Sequence, residues 1–247
     1  MNWLVIILAI ILVVVIWYVY TIMNSAPTVA SNIDLSTTTL NIKGSQISGG
    51  TSATYAIGCW IYVKSLPSSS MDIIQYVKQG SYTGTVGSIT SGNSNGLFGL
   101  NISSTSPTLT ASVATGTSTS TSIPYKLITI TNALPVQSWV YIVVSVSSTY
   151  IDTYMNGKLV VSTPITVPYV PTDYPANNDS GPTFVSGPNC PVIITGLSRW
   201  NTPLDPQTVW NYYSKGNGNA MQQMLGSTYH LDVVFKKDSN VHDWSIF

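Results

Sequence analysis

The sequence predicts an all-β protein that follows one apolar N-terminal helix. Strand-forming residues dominate its composition, chiefly Val, Ile, Thr and Tyr, and these side chains suit pleated, half-buried surfaces. The chain also holds 14 Pro and 18 Gly, which predicts many turns. Residues 2–23 differ from the rest because they contain no charged residue, no Gly and no Pro.

This N-terminal run predicts a transmembrane anchor. A helix that crosses a bilayer needs roughly 20 apolar residues, and the run is that long. Aromatic residues that favour membrane interfaces lie near both of its ends: Trp3 at one, and Trp17, Tyr18 and Tyr20 at the other. The alternative is a cleaved signal peptide, which usually has a basic start and a shorter apolar core. The first Lys is Lys43, which favours the retained anchor.

The remainder of the chain carries few charges. Charged residues make up 7% of the sequence, and the net charge is zero. Nucleic-acid binding needs clustered Lys and Arg, so the composition argues against a nucleic-acid partner. A free soluble protein usually carries more surface charge, so the composition is typical of a domain packed among neighbours in an assembly.

Two segments predict strands that are covered on both faces, 54–63 and 139–147, because each is a nearly continuous apolar run. Asn156-Gly157 favours a type I′ turn between strands at 150–155 and 158–162. Further strands are predicted at 72–77, 97–102 and 192–200, within 33–47, and in a closing hairpin of 229–236 and 241–247. Residues 103–122 are almost entirely Ser, Thr, Ala and Gly, and their pattern fits either a loop or a polar hairpin.

One short helix is predicted after the last of the central strands. Asp205 suits its N-cap, Pro206 its first position and Gly216 its end. The spacing places three apolar side chains on one face of this helix, where we expect them to pack on a sheet: Val209, Trp210 and Tyr213.

Three segments in combination resemble the concanavalin A-like, laminin-G-type family. They are TYAIGCWIYV (54–63), WVYIVVSVSSTYIDTYMNGKLVVS (139–162) and IITGLSRWNTPLDPQTVWNYYSKG (193–216). The resemblance covers about residues 35–215 and implies an antiparallel β-sandwich, or jelly roll, with a short helix near its end. The domain organisation that follows is an anchor at 1–23, a tether at 24–34, the sandwich at 35–215 and a C-terminal extension at 216–247.

An anchor on such a domain is similar to membrane-anchored minor capsid proteins of large icosahedral DNA viruses of the chlorella-virus type. This resemblance implies a structural protein that links an internal viral membrane to the capsid shell. The expected partners are the lipid bilayer and other capsid proteins, both major and minor. Every Lys and Arg follows the anchor, which favours a domain on the capsid-facing side of the inner membrane.

Catalysis is not predicted. Glycosidases of the wider fold use paired carboxylates, whereas this chain contains no Glu and its nine Asp are scattered. No GxSxG elbow is present, and the chain has only two His. We therefore expect no catalytic residue and no cofactor.

The alternative function is a membrane-anchored, lectin-like module that binds glycans. The loop at 165–191 contains the weak metal candidates Asp173 and Asp179 among Asn and Tyr residues, and such oxygens can hold Ca²⁺ or a sugar. Asn, Asp, Gly and Pro are also turn formers, so a plain turn-rich loop explains the same residues. Asn101 and Asn178 begin glycosylation sequons. The strand and helix tryptophans are expected in the core rather than on a sugar platform: Trp60, Trp139, Trp200 and Trp210.

The two cysteines, Cys59 and Cys190, lie in or beside apolar strands. A disulfide between them is possible in an oxidising compartment. Free Cys also behaves as a small buried hydrophobe, and this favours two buried thiols. No CxxC motif is present, so a zinc site is not expected.

Overall fold

The computed structural model describes residues 3–23, 28–78, 96–116, 124–170, 181–186, 189–217, 232–237 and 240–245. Within these ranges two α-helices occur, α1 (Trp3–Met23) and α2 (Pro206–Ser214), with one 3₁₀ turn at Gly44–Gln46. The strands are β1 (Thr28–Ala30), β2 (Ile33–Asp34), β3 (Asn41–Ile42), β4 (Tyr55–Val63), β5 (Met71–Val77), β6 (Gly96–Ile102), β7 (Leu109–Ala114), β8 (Tyr125–Thr131), β9 (Trp139–Val146), β10 (Tyr150–Met155), β11 (Lys158–Pro164), β12 (Thr183–Val185), β13 (Val192–Trp200), β14 (Asp232–Lys237) and β15 (Asn240–Ser245).

The strands form a two-sheet antiparallel sandwich. The first sheet has seven strands in the order β1-β13-β4-β9-β10-β11, and β2 also pairs with β13. The second sheet has six strands in the order β3-β12-β5-β6-β7-β8. Among the described strands, β14 and β15 pair only with each other, which confirms the predicted closing hairpin.

The main core lies between the two sheets. Side chains alternate along each strand, so every second residue points inward. In β4 the inward residues are Ile57, Cys59 and Ile61, and in β6 they are Phe98, Leu100 and Ile102; all six are buried. Burying one such large apolar side chain contributes roughly 1.5–3 kcal/mol.

A second apolar cluster lies on the outer face of the first sheet, under α2. Val209 is fully buried there, against sheet residues that include Tyr141 and Trp200. This cover explains why β4 and β9 are apolar on both faces. The predicted helix is confirmed: the Asp205 carboxylate accepts a hydrogen bond from the Thr208 N–H at 3.0 Å, and Pro206 begins the helix.

The Asn-Gly hairpin is also confirmed. Asn156 and Gly157 both adopt positive φ, 50° and 77°, as a type I′ turn requires. The Asn156 side-chain carbonyl accepts a hydrogen bond from the Tyr141 N–H at 2.9 Å, and the Asn156 N–H donates to the Tyr141 carbonyl at 2.8 Å. The turn is thereby fastened to β9.

The segment predicted as a tether supplies strands to the sandwich. Both β1 and β2 pair with β13, at the edge of the first sheet. The Lys64 ammonium forms an ion pair with the Asp34 carboxylate at 2.6 Å, and this contact fastens β2 to the end of β4. Strands of two or three residues carry too little periodicity to be recognised in a polar sequence.

The undecided segment 103–122 contains β7, which pairs with β6 and β8, so residues 109–114 form a strand, whereas 103–108 connect it to β6. Residues 117–123 lie outside the described residues. Sequence reasoning also missed β8 and the three-residue β12, which lies in the segment predicted as a loop at 165–191.

The predicted N-terminal helix is present as α1, which has 21 residues. Within the part of the chain that the structure describes, no helix meets the length and hydropathy of a membrane span. The helix is therefore confirmed, and the membrane span predicted for 1–23 is not.

Candidate functional site

The candidate site is a cleft on the outer face of the first sheet. It begins from a row of side chains that crosses three strands: Thr195 on β13 pairs with Trp60 on β4, and Trp60 pairs with Tyr141 on β9. Neighbours across a sheet point to the same face, so these three side chains stand side by side. Ile194 and Ile61, next to them in sequence, face the core instead.

Aromatic packing fixes the orientation of Trp60. Its ring centroid lies 5.1 Å from that of Tyr141 at a tilt of 37°. The ring of Tyr213 on α2 stacks on Trp60 at 5.5 Å and 23°. Such offset arrangements are the favourable ones for aromatic pairs. The indole is therefore held by both the sheet and the helix, and it retains partial exposure.

A bulge in β13 shapes the wall of the cleft. The pairing register shifts between Thr195 and Ser198, and Gly196 adopts φ of +61° within the bulge. A residue with a side chain rarely adopts this backbone conformation, so glycine suits the position. The Ser198 hydroxyl donates to the Gly196 carbonyl at 3.1 Å and lies 3.4 Å from the Thr28 hydroxyl of β1.

The other wall comes from the end of α2. The Tyr212 hydroxyl accepts a hydrogen bond from the Trp200 indole N–H at 3.3 Å, which fixes the Tyr212 ring at the cleft. Lys215 follows at the helix end, with its ammonium 5.2 Å from the centre of the Tyr212 ring. The cleft has a volume of about 260 Å³, and its described lining residues are Thr28, Ser31, Trp60, Tyr141, Thr195, Gly196, Ser198, Tyr212, Lys215, Gly216 and Asn217.

The described side chains of this cleft offer groups that can bind a ligand. Its described lining offers aromatic faces, hydroxyls, an amide and one ammonium, but neither Asp nor His. Burial raises the pKa of the Tyr141 hydroxyl, so this group stays protonated at neutral pH. Among the described residues no group of three His, Cys or Asp forms a metal site. Stacking and hydrogen bonding are what this arrangement can supply.

The four tryptophans predicted in the core differ in how deeply the structure buries them. Trp200 is buried in the cluster under α2, as expected of a core residue. Trp60 is instead half-buried and lines the cleft, and Trp139 is half-buried beside Tyr62, 5.4 Å away. Trp210 is 44% exposed. The core prediction is therefore confirmed for Trp200 and wrong for Trp210. It holds only in part for Trp60, which packs against the edge of the cluster under α2, and for Trp139, because α2 covers only part of the outer face.

Most of the predicted loop site at 165–191 lies outside the described residues. Asp173 and Asp179 fall in 171–180, outside the described residues, as does Asn178. Tyr169 is described and is buried, with its ring facing Lys78, so it offers no surface to a sugar. Asn101 sits in β6 and donates its amide to the Asp72 carboxylate at 3.1 Å, which makes it unsuited to glycosylation.

The remaining predicted residues are placed as follows. Trp3 and Trp17 are exposed on α1, at 68% and 63%, whereas the side chains of Tyr18 and Tyr20 lie outside the described residues. Cys59 and Cys190 are both free thiols and both buried, so no disulfide joins them.

The sequence signal that could have indicated the cleft is modest. Trp60 lies between apolar neighbours, a pattern that does not distinguish a residue under a helix from one beside it. The bulge glycine Gly196 is the better indicator, since a glycine inside a strand often marks a bulge or a close approach by another group.

Comparison with known proteins supports the fold. The family model of the concanavalin A-like lectin/glucanases superfamily matches residues 36–212. No match to a curated protein is found. The ligand-binding domain of botulinum neurotoxin serotype D, solved in complex with N-acetylneuraminic acid, is similar at 12% identity and a TM-score of 0.51 over 75% of this chain and 42% of that one. The receptor-binding domain of a botulinum neurotoxin C/D mosaic serotype is similar at 15% identity and a TM-score of 0.51, over 75% and 43%.

This chain spans less than half the length of those neurotoxin domains, and at such low identity the likeness concerns the fold alone. The family match covers more than half of the chain and agrees with the two antiparallel sheets and the helix that packs on one of them. The protein belongs to the concanavalin A-like lectin/glucanases superfamily.

Proposed function

We propose that this protein binds carbohydrate in the cleft beside Trp60. The observation that carries the proposal is the convergence of ring faces and hydroxyls on one surface, with Thr195, Trp60 and Tyr141 in a single row and Lys215 as the one charged residue of the described lining. A sugar ring presents apolar C–H groups on its faces and hydroxyls at its edge. Aromatic rings complement the first, and Ser, Thr and Asn side chains complement the second.

One hydroxyl at the base of the cleft, that of Thr195, is available to a ligand. Thr195 is buried at the base beside Trp60, and its hydroxyl makes no hydrogen bond to another described residue. A polar group in such a position is best satisfied by an incoming partner. The cleft volume of about 260 Å³ suits one or two sugar rings rather than a long chain. Family membership and the sialic-acid complex of the neurotoxin domain support the same class of ligand.

A glycan array tests the proposal. The full-length chain is applied to immobilised neutral and acidic glycans, together with the variants Trp60→Ala and Trp139→Ala. Both tryptophans are half-buried on the same face of the first sheet, but only Trp60 lines the cleft. We expect Trp60→Ala to weaken binding at least about tenfold, or about 1.4 kcal/mol, and Trp139→Ala to bind as the wild type does. Equal loss in both variants, or no binding by the wild type, would contradict the proposal.

A second candidate function is structural, and α1 favours it. Its described residues at 7, 8 and 10–17 all expose large apolar side chains, on every side of the helix. A helix that is apolar all round needs lipid or apolar neighbours to cover it. We propose on this ground that α1 holds the sandwich at a membrane, and that the protein acts as a minor capsid component between an inner viral membrane and other capsid proteins.

Fractionation tests this structural role. Membranes from the native source are washed with alkaline carbonate, and the pellet is examined for the full-length chain and for particles that sediment with it. We expect the chain to stay with the membranes and with the particles, and the sandwich to be digested by protease added on the capsid-facing side. Release of the chain by carbonate would contradict this role and would leave the carbohydrate proposal untouched.

A further inference from the structure

The chain enters the sandwich at the cleft. β1 begins at Thr28, and both Thr28 and Ser31 belong to the lining of the cleft. Thr28 pairs with Ser198 on β13, and their hydroxyls lie 3.4 Å apart. Ala30 pairs with Leu197 on the same strand. β1 is thus fixed as a strand of the first sheet, and its first residue forms part of the cleft wall.

A short linker joins this wall to α1. The helix ends at Met23, and β1 begins at Thr28. An extended chain covers at most about 3.6 Å per residue, which limits the distance between the Cα atoms of these two residues to about 18 Å. The end of α1 therefore lies close to the cleft, whatever path the linker takes.

α1 needs an apolar cover on every side. Residues 7, 8 and 10–17 carry large apolar side chains, and each is between 43% and 68% exposed. Successive residues of a helix are rotated by about 100°, so these positions surround the helix axis. The hydrocarbon of a bilayer covers such a helix completely, whereas a groove on a protein covers one side of it. With α1 in lipid, as in the structural role proposed above, the cleft stands beside the lipid headgroups.

The lining of the cleft suits a position near headgroups. Trp and Tyr rings favour the interface between lipid and water. The cleft presents three such rings, those of Trp60, Tyr141 and Tyr212. Lys215 is exposed at the end of α2, and a cation there is attracted to an anionic lipid surface. The described lining contains no Asp that would oppose this attraction.

We propose that the sugar bound in this cleft is the headgroup of a glycolipid in the same membrane that holds α1. The inference rests on the proposed carbohydrate function of the cleft and on the placement of α1 in lipid. A short tether gives such a headgroup an effective concentration in the millimolar range without any further contact. A small cleft that binds one or two sugar rings weakly is therefore sufficient at a membrane, and the same sugar free in solution competes poorly.

Competition in lipid nanodiscs tests the source of the sugar. The full-length chain is reconstituted in phosphatidylcholine discs, with or without a few molecules of a glycolipid whose headgroup is the mono- or disaccharide that binds best on the glycan array. The same sugar, free and fluorescently labelled, is then titrated by fluorescence anisotropy. For a sugar with a Kd of about 0.1 mM and an effective headgroup concentration of about 1 mM, we expect the glycolipid to raise the apparent Kd about tenfold.

A longer linker provides the matched control. A Gly-Ser insertion before Thr28 that lengthens the linker about fivefold lowers the effective concentration roughly tenfold, so the rise in apparent Kd should shrink to about twofold. In discs without glycolipid, this variant should bind the free sugar as the wild type does, because the residues of the cleft are unchanged.

The outcomes distinguish this inference from the carbohydrate proposal. An apparent Kd that is the same with and without the glycolipid, or a rise that the longer linker leaves intact, would overturn the glycolipid inference. A chain that does not enter the discs would overturn it as well. In each of these cases, free-sugar binding that Trp60→Ala weakens, in discs or in detergent, would still support the cleft. Absence of free-sugar binding in both settings would overturn both proposals.

Discussion

Gly157 lies directly against the indole ring of Trp210. A Cβ atom built on Gly157 would lie 2.7 Å from the Trp210 Cε3 atom and 3.0 Å from the Tyr213 ring, closer than such contacts allow. The Asn-Gly turn between β10 and β11 thus serves two purposes. It closes a hairpin, and it leaves room for α2, whose Tyr213 in turn stacks on Trp60.

The change Gly157→Ala should therefore destabilise the protein and disturb the cleft. The new methyl group meets a φ of +77° and also overlaps two rings of α2. We expect a loss of about 3 kcal/mol in the free energy of unfolding, measured by urea denaturation. Gly116→Ala is the matched control: its φ is +72°, but its Cβ would meet the nearest described atom at an ordinary 3.6 Å. We expect that variant to lose only about 1 kcal/mol. Equal losses of unfolding free energy in the two variants would contradict this prediction, because they would show that α2 moves away from the new methyl group at little cost.

The N-cap of α2 gives a second prediction. Asp205 accepts hydrogen bonds from both the N–H and the hydroxyl of Thr208, and these bonds lower the pKa of its carboxyl. Asp205→Ala should cost about 1 kcal/mol at pH 7, measured by urea denaturation, whereas Asp205→Asn should be nearly neutral because Asn caps as well.

The pH dependence of stability distinguishes the wild type from Asp205→Asn. A carboxyl whose pKa is lower in the folded state stabilises the protein above its unfolded pKa, and the contribution is lost as the pH falls through the folded value. The stability difference between wild type and Asp205→Asn should therefore move against the wild type below about pH 4. A difference that stays constant down to pH 2 would contradict the capping role.

The ion pair between Asp34 and Lys64 gives a third prediction. The hydrogen bond from Lys64, followed by those from Ser36, lowers the pKa of Asp34 from 3.8 to about 2. Its contribution should be fully present above about pH 4 and lost as the pH falls towards 2. We expect Asp34→Asn to have a lower urea midpoint than the wild type at pH 7. The two midpoints should converge near pH 2. High salt should also reduce the difference, since both side chains are about one-third exposed. A midpoint difference that persists at pH 2 would show that packing, rather than charge, fastens β2.

The two cysteines give a fourth prediction. The pKa of both thiols is raised to about 12, by burial in Cys59 and by burial together with the nearby Asp72 carboxyl in Cys190. The reactive thiolate is therefore scarce at pH 8. We expect the folded chain to add no maleimide by mass spectrometry, and the urea-unfolded chain to add two without prior reduction. Two additions only after reduction would indicate a disulfide instead.

The sequence predicted the central parts of the fold better than its edges. The strands β4, β9 and β13 and the helix α2 each carry a strong local signal, either a long apolar run or a matched cap and stop. The strands β1, β2 and β12 have only two or three residues and exist because β13 or β5 is beside them. Their pairing is a tertiary property, and local periodicity does not encode it.

The candidate site likewise combines a local signal with tertiary contacts that the sequence does not show. The sequence places Trp60 in a strand, but the role of Trp60 depends on where α2 ends, two residues after Tyr212. The environment of the buried Arg199 guanidinium also depends on separate segments of the chain, because Ser48, Tyr55 and Tyr76 all contact it. Neither arrangement has a sequence motif, because each is made of single residues that are distant along the chain.

The most direct test of the carbohydrate cleft is a titration followed by the indole N–H resonances of the full-length ¹⁵N-labelled chain. The glycan that binds most tightly on the array is added, and the variants Trp60→Phe and Trp139→Phe assign the two relevant signals. The cleft predicts a progressive shift of the Trp60 signal, with Trp139 unchanged, because only Trp60 lines it. A shift confined to Trp139, or saturation of binding with the Trp60 signal unmoved, would contradict it.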